Sequence, residues 1–139
     1  MAIAEYLSPR NKKINLNSDF KKDLLQSPVS KDIVLLKDED AVKESIKNLI
    51  LTDRGERLMQ PYLGGNIRAM LFENMTPGTL KLIEDRVTST IEQYEPRAQL
   101  LNVSVNGSLD SHNVSVGITF FVRNVKQPIQ LDVILERNR

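Results

Sequence analysis

Thr76–Arg97 reads TPGTLKLIEDRVTSTIEQYEPR, a helical pattern that runs directly into Tyr94-Glu95-Pro96-Arg97. Thr76 suits an N-cap, and Pro77 suits the first helical position, where its missing N–H removes no bond. Leu80, Ile83, Val87, Ile91 and Tyr94 recur at three- and four-residue spacing, which makes one apolar stripe along a helix. Pro96 ends the helix, because its ring disfavours α geometry at Glu95. An anion then stands at a helix C-terminus, where the macrodipole prefers a cation. If the backbone is extended through Pro96, Glu95 and Arg97 project to the same side and form a short acid–base fork. Two readings fit: a solvated helix end, or a recognition element at which a local rule is broken for function.

Beyond Arg97 the apolar period changes from 3.6 to 2. Leu101, Val103 and Val105 alternate with Asn102 and Ser104. Val114, Val116, Ile118, Phe120 and Val122 alternate with Ser115, Gly117, Thr119 and Phe121, and Ile129, Leu131, Val133 and Leu135 alternate with Gln130, Asp132, Ile134 and Glu136. Turns are expected at Gly107–Asp110 and at Asn124–Pro128. The pattern predicts an antiparallel meander of three strands, apolar on one face. Its first and third strands are edges with unpaired main-chain groups, which Arg137-Asn138-Arg139 could blunt at one side. An open edge invites a partner to add a strand of its own.

Before Thr76 two further helices are expected. Asp38-Glu39-Asp40 opens the first, with Asp40 as its cap and Val42, Ile46, Leu49 and Ile50 as its buried stripe, and Gly55 turns the chain after it. Asn66 is expected to cap a short helix over Ile67 to Glu73. Residues 1–37 read as an irregular arm with basic pairs and two prolines, in which Asp32–Leu36 is either a strand or a lid over the core. The predicted architecture is therefore α+β in two layers. Helices pack on one face of a three-stranded C-terminal meander, with an extended arm at 1–37 and a single domain over 38–139.

The chain has 139 residues, which suits one modest domain with a true core. Its 19 basic and 18 acidic residues are interspersed for a net charge of +1, so no basic stripe suggests a nucleic-acid partner. With no cysteine, disulfides and thiolate metal sites are excluded, and a reducing compartment fits. No apolar run is long enough for a membrane span, and no secretory signal opens the chain. Production in a cytoplasm, or in something assembled there, is expected.

Catalytic parts are sparse. His112 is the only histidine and falls in a polar turn, which leaves a histidine-based triad or zinc site short of ligands. Asp53, Glu56, Glu73 and Glu95 are the carboxylates from which a glycosidase pair would have to be drawn, and most stand beside Arg54, Arg57 or Arg97 at helix ends. Leu63-Gly64-Gly65-Asn66 lacks the lysine and length of a phosphate loop and reads as a turn.

Three ordered stretches carry a resemblance. Ala41–Arg57 (AVKESIKNLILTDRGER), Pro61–Met75 ending in LFENM, and Tyr94-Glu95-Pro96-Arg97 together resemble the baseplate wedge family of contractile phage tails, shared with the type VI secretion baseplate. Leu71–Pro77 (LFENMTP) is the most distinctive piece, and the similarity runs from Asp19 to Glu136. The resemblance implies a non-catalytic assembly protein of the virion tail baseplate, assembled in the host bacterial cytoplasm, with no cofactor, metal, small molecule, nucleic acid or membrane involved. It implies that Glu95, Pro96 and Arg97, with Tyr94, dock on the core helical bundle of larger wedge proteins. It also implies that tail sheath protein adds a strand to the C-terminal sheet, where Ile129, Leu131, Val133 and Leu135 lie, so that baseplate opening is passed into sheath contraction. Members have been labelled lysozyme-like, so the alternative is a muramidase-like peptidoglycan hydrolase of the tail.

Overall fold

Thr76 and Pro77 begin the longest helix as their chemistry requires. In the computed structural model, which describes residues 16–107, 113–123 and 125–136, the Thr76 hydroxyl accepts the Thr79 N–H at 3.2 Å and the helix spans Pro77–Tyr94. The described elements in order are β1 (Ser18–Phe20), β2 (Leu35–Lys37), α1 (Glu39–Leu51), α2 (Ile67–Leu71), α3 (Pro77–Tyr94), β3 (Ala98–Gly107), β4 (Asn113–Val122) and β5 (Ile129–Glu136). The expected turn at Ser108–Asp110, His112, Asn124, the basic cluster near Pro9 and the C-terminal Arg137-Asn138-Arg139 lie outside the described residues.

The C-terminal strands form one antiparallel sheet in the order β3-β4-β5. Val114, Val116, Ile118, Phe120 and Val122 of the central strand are all buried, as are Ile129, Val133 and Leu135 of β5. The helices cover that face with Val42, Ile46 and Ile50 from α1, Ile67 and Leu71 from α2, and Ile83, Val87 and Ile91 from α3. This is the expected two-layer α+β arrangement. Its stability follows from continuous apolar burial between helix stripes and one sheet face.

The register holds one surprise. Leu100 pairs with Phe120, but Asn102 pairs with Thr119, so Leu101 is an extra residue in β3 and forms a bulge. The bulge reverses the alternation. Ala98 and Leu100 pack toward the core before it, Val103 and Val105 after it, and Leu101 is 51% exposed. The expectation that Leu101 shares the core face with Val103 is therefore corrected: one inserted residue changes which face it lies on.

Two expected caps are also corrected. Asp40 lies inside α1 and pairs with Lys43 at 3.7 Å, while the N-cap is Asp38, at φ 47°. The Asp38 carboxylate does not bond the helix amides. It accepts instead from the N–H groups of Leu16, at 2.9 Å, and Asn17, at 3.3 Å, which pins the arm to the start of α1. Asn66 precedes α2 but adopts left-handed angles and makes no side-chain cap bond. It serves the turn rather than the helix amides, a conformation that asparagine tolerates better than most residues. Within the arm, β1 and β2 pair as a small antiparallel hairpin, Ser18 opposite Lys37 and Phe20 opposite Leu35. The Leu35-Leu36 part of the Asp32–Leu36 run is thus a strand.

Candidate functional site

Helix α3 delivers the corner. The Glu95 N–H still donates to Ile91 O at 2.8 Å, closing the last turn, and Ala98 N–H donates back to Glu95 O at 3.2 Å across Pro96. The chain therefore passes from helix into β3 through a turn whose middle is stiffened by proline. Glu95, only 2% exposed, lies beneath that turn. Its Oε1 accepts Arg97 Nε at 2.6 Å, and its Oε2 accepts Arg97 Nη2 at 2.8 Å and the Ser45 hydroxyl of α1 at 2.5 Å.

One carboxylate thereby joins α1, the end of α3 and the start of β3. Burial pushes the Glu95 carboxyl up, but the bonds from Arg97 and Ser45 and the guanidinium charge outweigh it and hold the group below its ordinary value. Pro96-Arg97 is a turn and not the extended segment expected, and the two charged side chains that flank Pro96 grip each other instead of projecting as an open fork. Glu95 has both oxygens occupied, and Arg97, with its side chain 36% exposed, is the member that reaches the surface. Ser45 was not foreseeable as a participant, because it stands fifty residues earlier in the chain.

Tyr94 turns to another partner. Its hydroxyl donates to Tyr62 O at 2.8 Å and so ties the corner to the loop after α1. That loop is internally braced: Gly55 N–H donates to Pro61 O at 2.8 Å, and Arg54 Nε to Gly64 O at 3.3 Å. Gly64, at φ 105°, approaches the Thr52 carbonyl so closely that a Cβ would lie 2.2 Å from its oxygen. Within Leu63-Gly64-Gly65-Asn66 the chain therefore bends at Gly64, pressed against the end of α1, without the hydrogen-bonded turn that its sequence suggests. The brace holds Leu58 and Met59 almost wholly exposed, with Tyr62 beside them.

At the sheet, Ile129, Val133 and Leu135 point into the core and Leu131 is half-buried. What β5 offers outward is its main-chain edge, flanked on the solvent face by Gln130, Asp132, Ile134 and Glu136. The corner leads into β3, and β4 lies between β3 and β5, so the two predicted docking regions occupy opposite edges.

The other carboxylates from which a glycosidase pair would be drawn are placed otherwise. Glu56 Oε2 accepts the Asp53 N–H at 3.0 Å within one turn, and Asp53 Oδ2 stands 3.9 Å from Arg68 Nη1. Glu73 is exposed just past α2. Among the described residues no cluster of histidine and acidic side chains could hold a metal ion, and no helix is long and apolar enough to cross a membrane.

Residues 36–127, which run from β2 through the corner and β4, match the family model described as Baseplate wedge protein gp25. The chain belongs to this family.

A family relative, Baseplate wedge protein gp25 of Enterobacteria phage T4, is 37% identical over 82 residues, 59% of this chain and 62% of that protein. The chain thus spans less than two thirds of that relative's length. A crystal structure from Geobacter sulfurreducens that carries a provisional tail-lysozyme description is 29% identical, with a TM-score of 0.66, covering 73% of this chain and 92% of that one. A chain in the anti-feeding prophage baseplate shares the fold at 24% identity and a TM-score of 0.61, covering 88% of this chain and 87% of that one. β5 lies just beyond the residues matched by the family model.

Proposed function

We propose that this gp25-family chain is a non-catalytic linker of a contractile tail, joining the helical core of larger wedge proteins through Tyr94, Glu95, Pro96 and Arg97 and the first ring of tail sheath through the edge of β5. In this reading the chain resides in the tail baseplate of the virion and is assembled in the host cytoplasm. Baseplate opening then passes through it into sheath contraction.

The observation that carries the reading is the Glu95–Arg97 pair. Its internal bonds fix the guanidinium before any partner arrives, so little side-chain freedom is lost on docking. The sheet contribution is a main-chain ladder, with Ile129, Leu131, Val133 and Leu135 setting the register of β5 from the core side and Ile134, 64% exposed, available to a neighbour.

A muramidase-like activity is disfavoured by the same site. A general acid needs its pKa raised toward the working pH, whereas Glu95 is shifted down and has both oxygens engaged. The similarity to the Geobacter protein is what favours the hydrolase reading. Clearing of a peptidoglycan suspension by the pure protein, lost on Glu73→Gln or Glu95→Gln, would establish it.

Co-purification with the larger wedge subunits tests the linker. Arg97→Lys keeps the charge but not the two-pronged donor, and it should fold yet be captured about tenfold less well. Ile134→Lys guards the β5 edge and should leave wedge capture intact while baseplates fail to start sheath. Normal capture of the first variant removes the corner from the reading, and normal sheath growth on the second removes the edge.

A further inference from the structure

Beside the corner, the start of β3 and the end of β4 line a groove of about 740 Å³. Its walls include Leu100, Val122 and Val125, and its cations are Arg97, Arg123 and Lys126. Arg123 and Lys126 are exposed, and neither has an ion-pair partner among the described residues. The Val125 N–H donates to Val122 O at 2.9 Å, so the turn that bears Lys126 is closed against the strand end. Arg97 also lines the groove, already held by Glu95 and further balanced by the charge of Asp19, which is not part of the lining; its Nη1 makes no hydrogen bond among the described residues. The single acid of the lining is Glu92, exposed on the last turns of α3.

We propose that this groove receives an acidic–apolar peptide segment of a partner protein. The segment's apolar side chains would lie against Leu100 and Val125, and its carboxylates would meet Arg123, Lys126 and the free edge of Arg97. The charge argument is local. Arg97 is balanced by the carboxylate beneath it, so Arg123 and Lys126 outnumber Glu92 and leave a net positive rim around an apolar wall. A nucleic acid fits less well, since the lining includes a carboxylate and the whole chain is only +1. This inference rests on the corner being a docking surface, and it names the chemistry of what docks there.

The test is fluorescence anisotropy of the full chain with a labelled dodecapeptide of Glu, Leu and Ser. The same peptide with Gln for every Glu, and a single-stranded oligonucleotide of equal length, serve as comparisons. The acidic peptide should bind, weaken as salt rises, lose about tenfold in affinity on R123E/K126E, and gain affinity on E92K. These exposed substitutions should leave the thermal melt unchanged, which circular dichroism checks. Failure of the acidic peptide to bind, equal binding of the Gln peptide, tighter binding of the oligonucleotide, or an unaffected double variant each overturns the proposal. Wedge capture separates it from the broader reading. If R123E/K126E is captured normally while Arg97→Lys is not, the corner stands and the groove falls.

Discussion

Arg97 Nε lies 2.6 Å from Glu95 Oε1 and Arg97 Nη2 lies 2.8 Å from Glu95 Oε2, across a single intervening proline. The pair serves two ends at once. It neutralises a carboxylate that the fold has buried, and it fixes the guanidinium that reaches the surface. Because the proposed docking element is also a structural joint, altering it touches stability as well.

Arg97→Ala leaves the buried Glu95 carboxylate with Ser45 as its remaining side-chain partner. Removing one member of a fully buried pair costs about 3–5 kcal/mol, and partial exposure of Arg97 reduces the expected loss here to about 1–3 kcal/mol. Urea denaturation should show this, and Glu95→Gln in the same background should recover part of it. A double-mutant cycle with no coupling between positions 95 and 97 would refute the joint.

Acid should weaken the joint. The folded Glu95 carboxyl sits below its ordinary 4.5, since burial, which raises it, is outweighed by the Arg97 and Ser45 bonds and the Arg97 charge. The unfolded chain therefore binds this proton more tightly than the native one. The contribution is complete above about pH 4.5 and drains away as pH falls through the lower folded-state value. The stability difference between wild type and Glu95→Gln, followed by urea melts between neutral and acid pH, should shrink in that window. A difference that grows on acidification would mean that the folded pKa is raised instead.

Alternation along β3 gives the next test. Val103 is buried and Leu101 is 51% exposed, although both are apolar and two residues apart. Val103→Ala should cost about 1.5–3 kcal/mol, while Leu101→Ala, despite removing more carbon, should cost less than about 1 kcal/mol. Equal losses would place both on the core face and remove the bulge at Leu101.

These contrasts show where the sequence is informative. Periodicity alone marks α3, with its Thr76 cap, and the inward faces of β4 and β5, because each signal lies within one continuous segment. The bulge escapes notice because inserting one residue leaves LLNVSV looking like an unbroken alternation until a partner strand supplies the register. Asp38 and Asn66 have residue types that favour caps, yet tertiary contacts and left-handed angles turn them to other uses. At the corner, Glu95-Pro96-Arg97 could be read as a fork from its spacing. That Glu95 is buried, and that Ser45 completes its coordination, depends on α1 packing beside α3, which no local pattern encodes.

Gly64 and Gly55 form a matched pair for the loop that Tyr94 anchors. Both have positive φ, 105° and 85°, so an added Cβ strains the backbone at either site. Their surroundings differ. A Cβ at Gly55 meets nothing within 4 Å, whereas one at Gly64 would lie 2.2 Å from the Thr52 carbonyl oxygen, which is backbone and cannot rotate away. Gly55→Ala should therefore cost only the strain, about 1–2 kcal/mol. Gly64→Ala adds overpacking to strain and should cost about 3–5 kcal/mol, read from paired urea melts. It should also shift the loop bearing Leu58 and Met59, because the Tyr62 carbonyl that Tyr94 grips lies only two residues before Gly64. Similar costs for the two variants would mean that the chain after α1 can move aside, and that the loop is not the rigid brace its contacts describe.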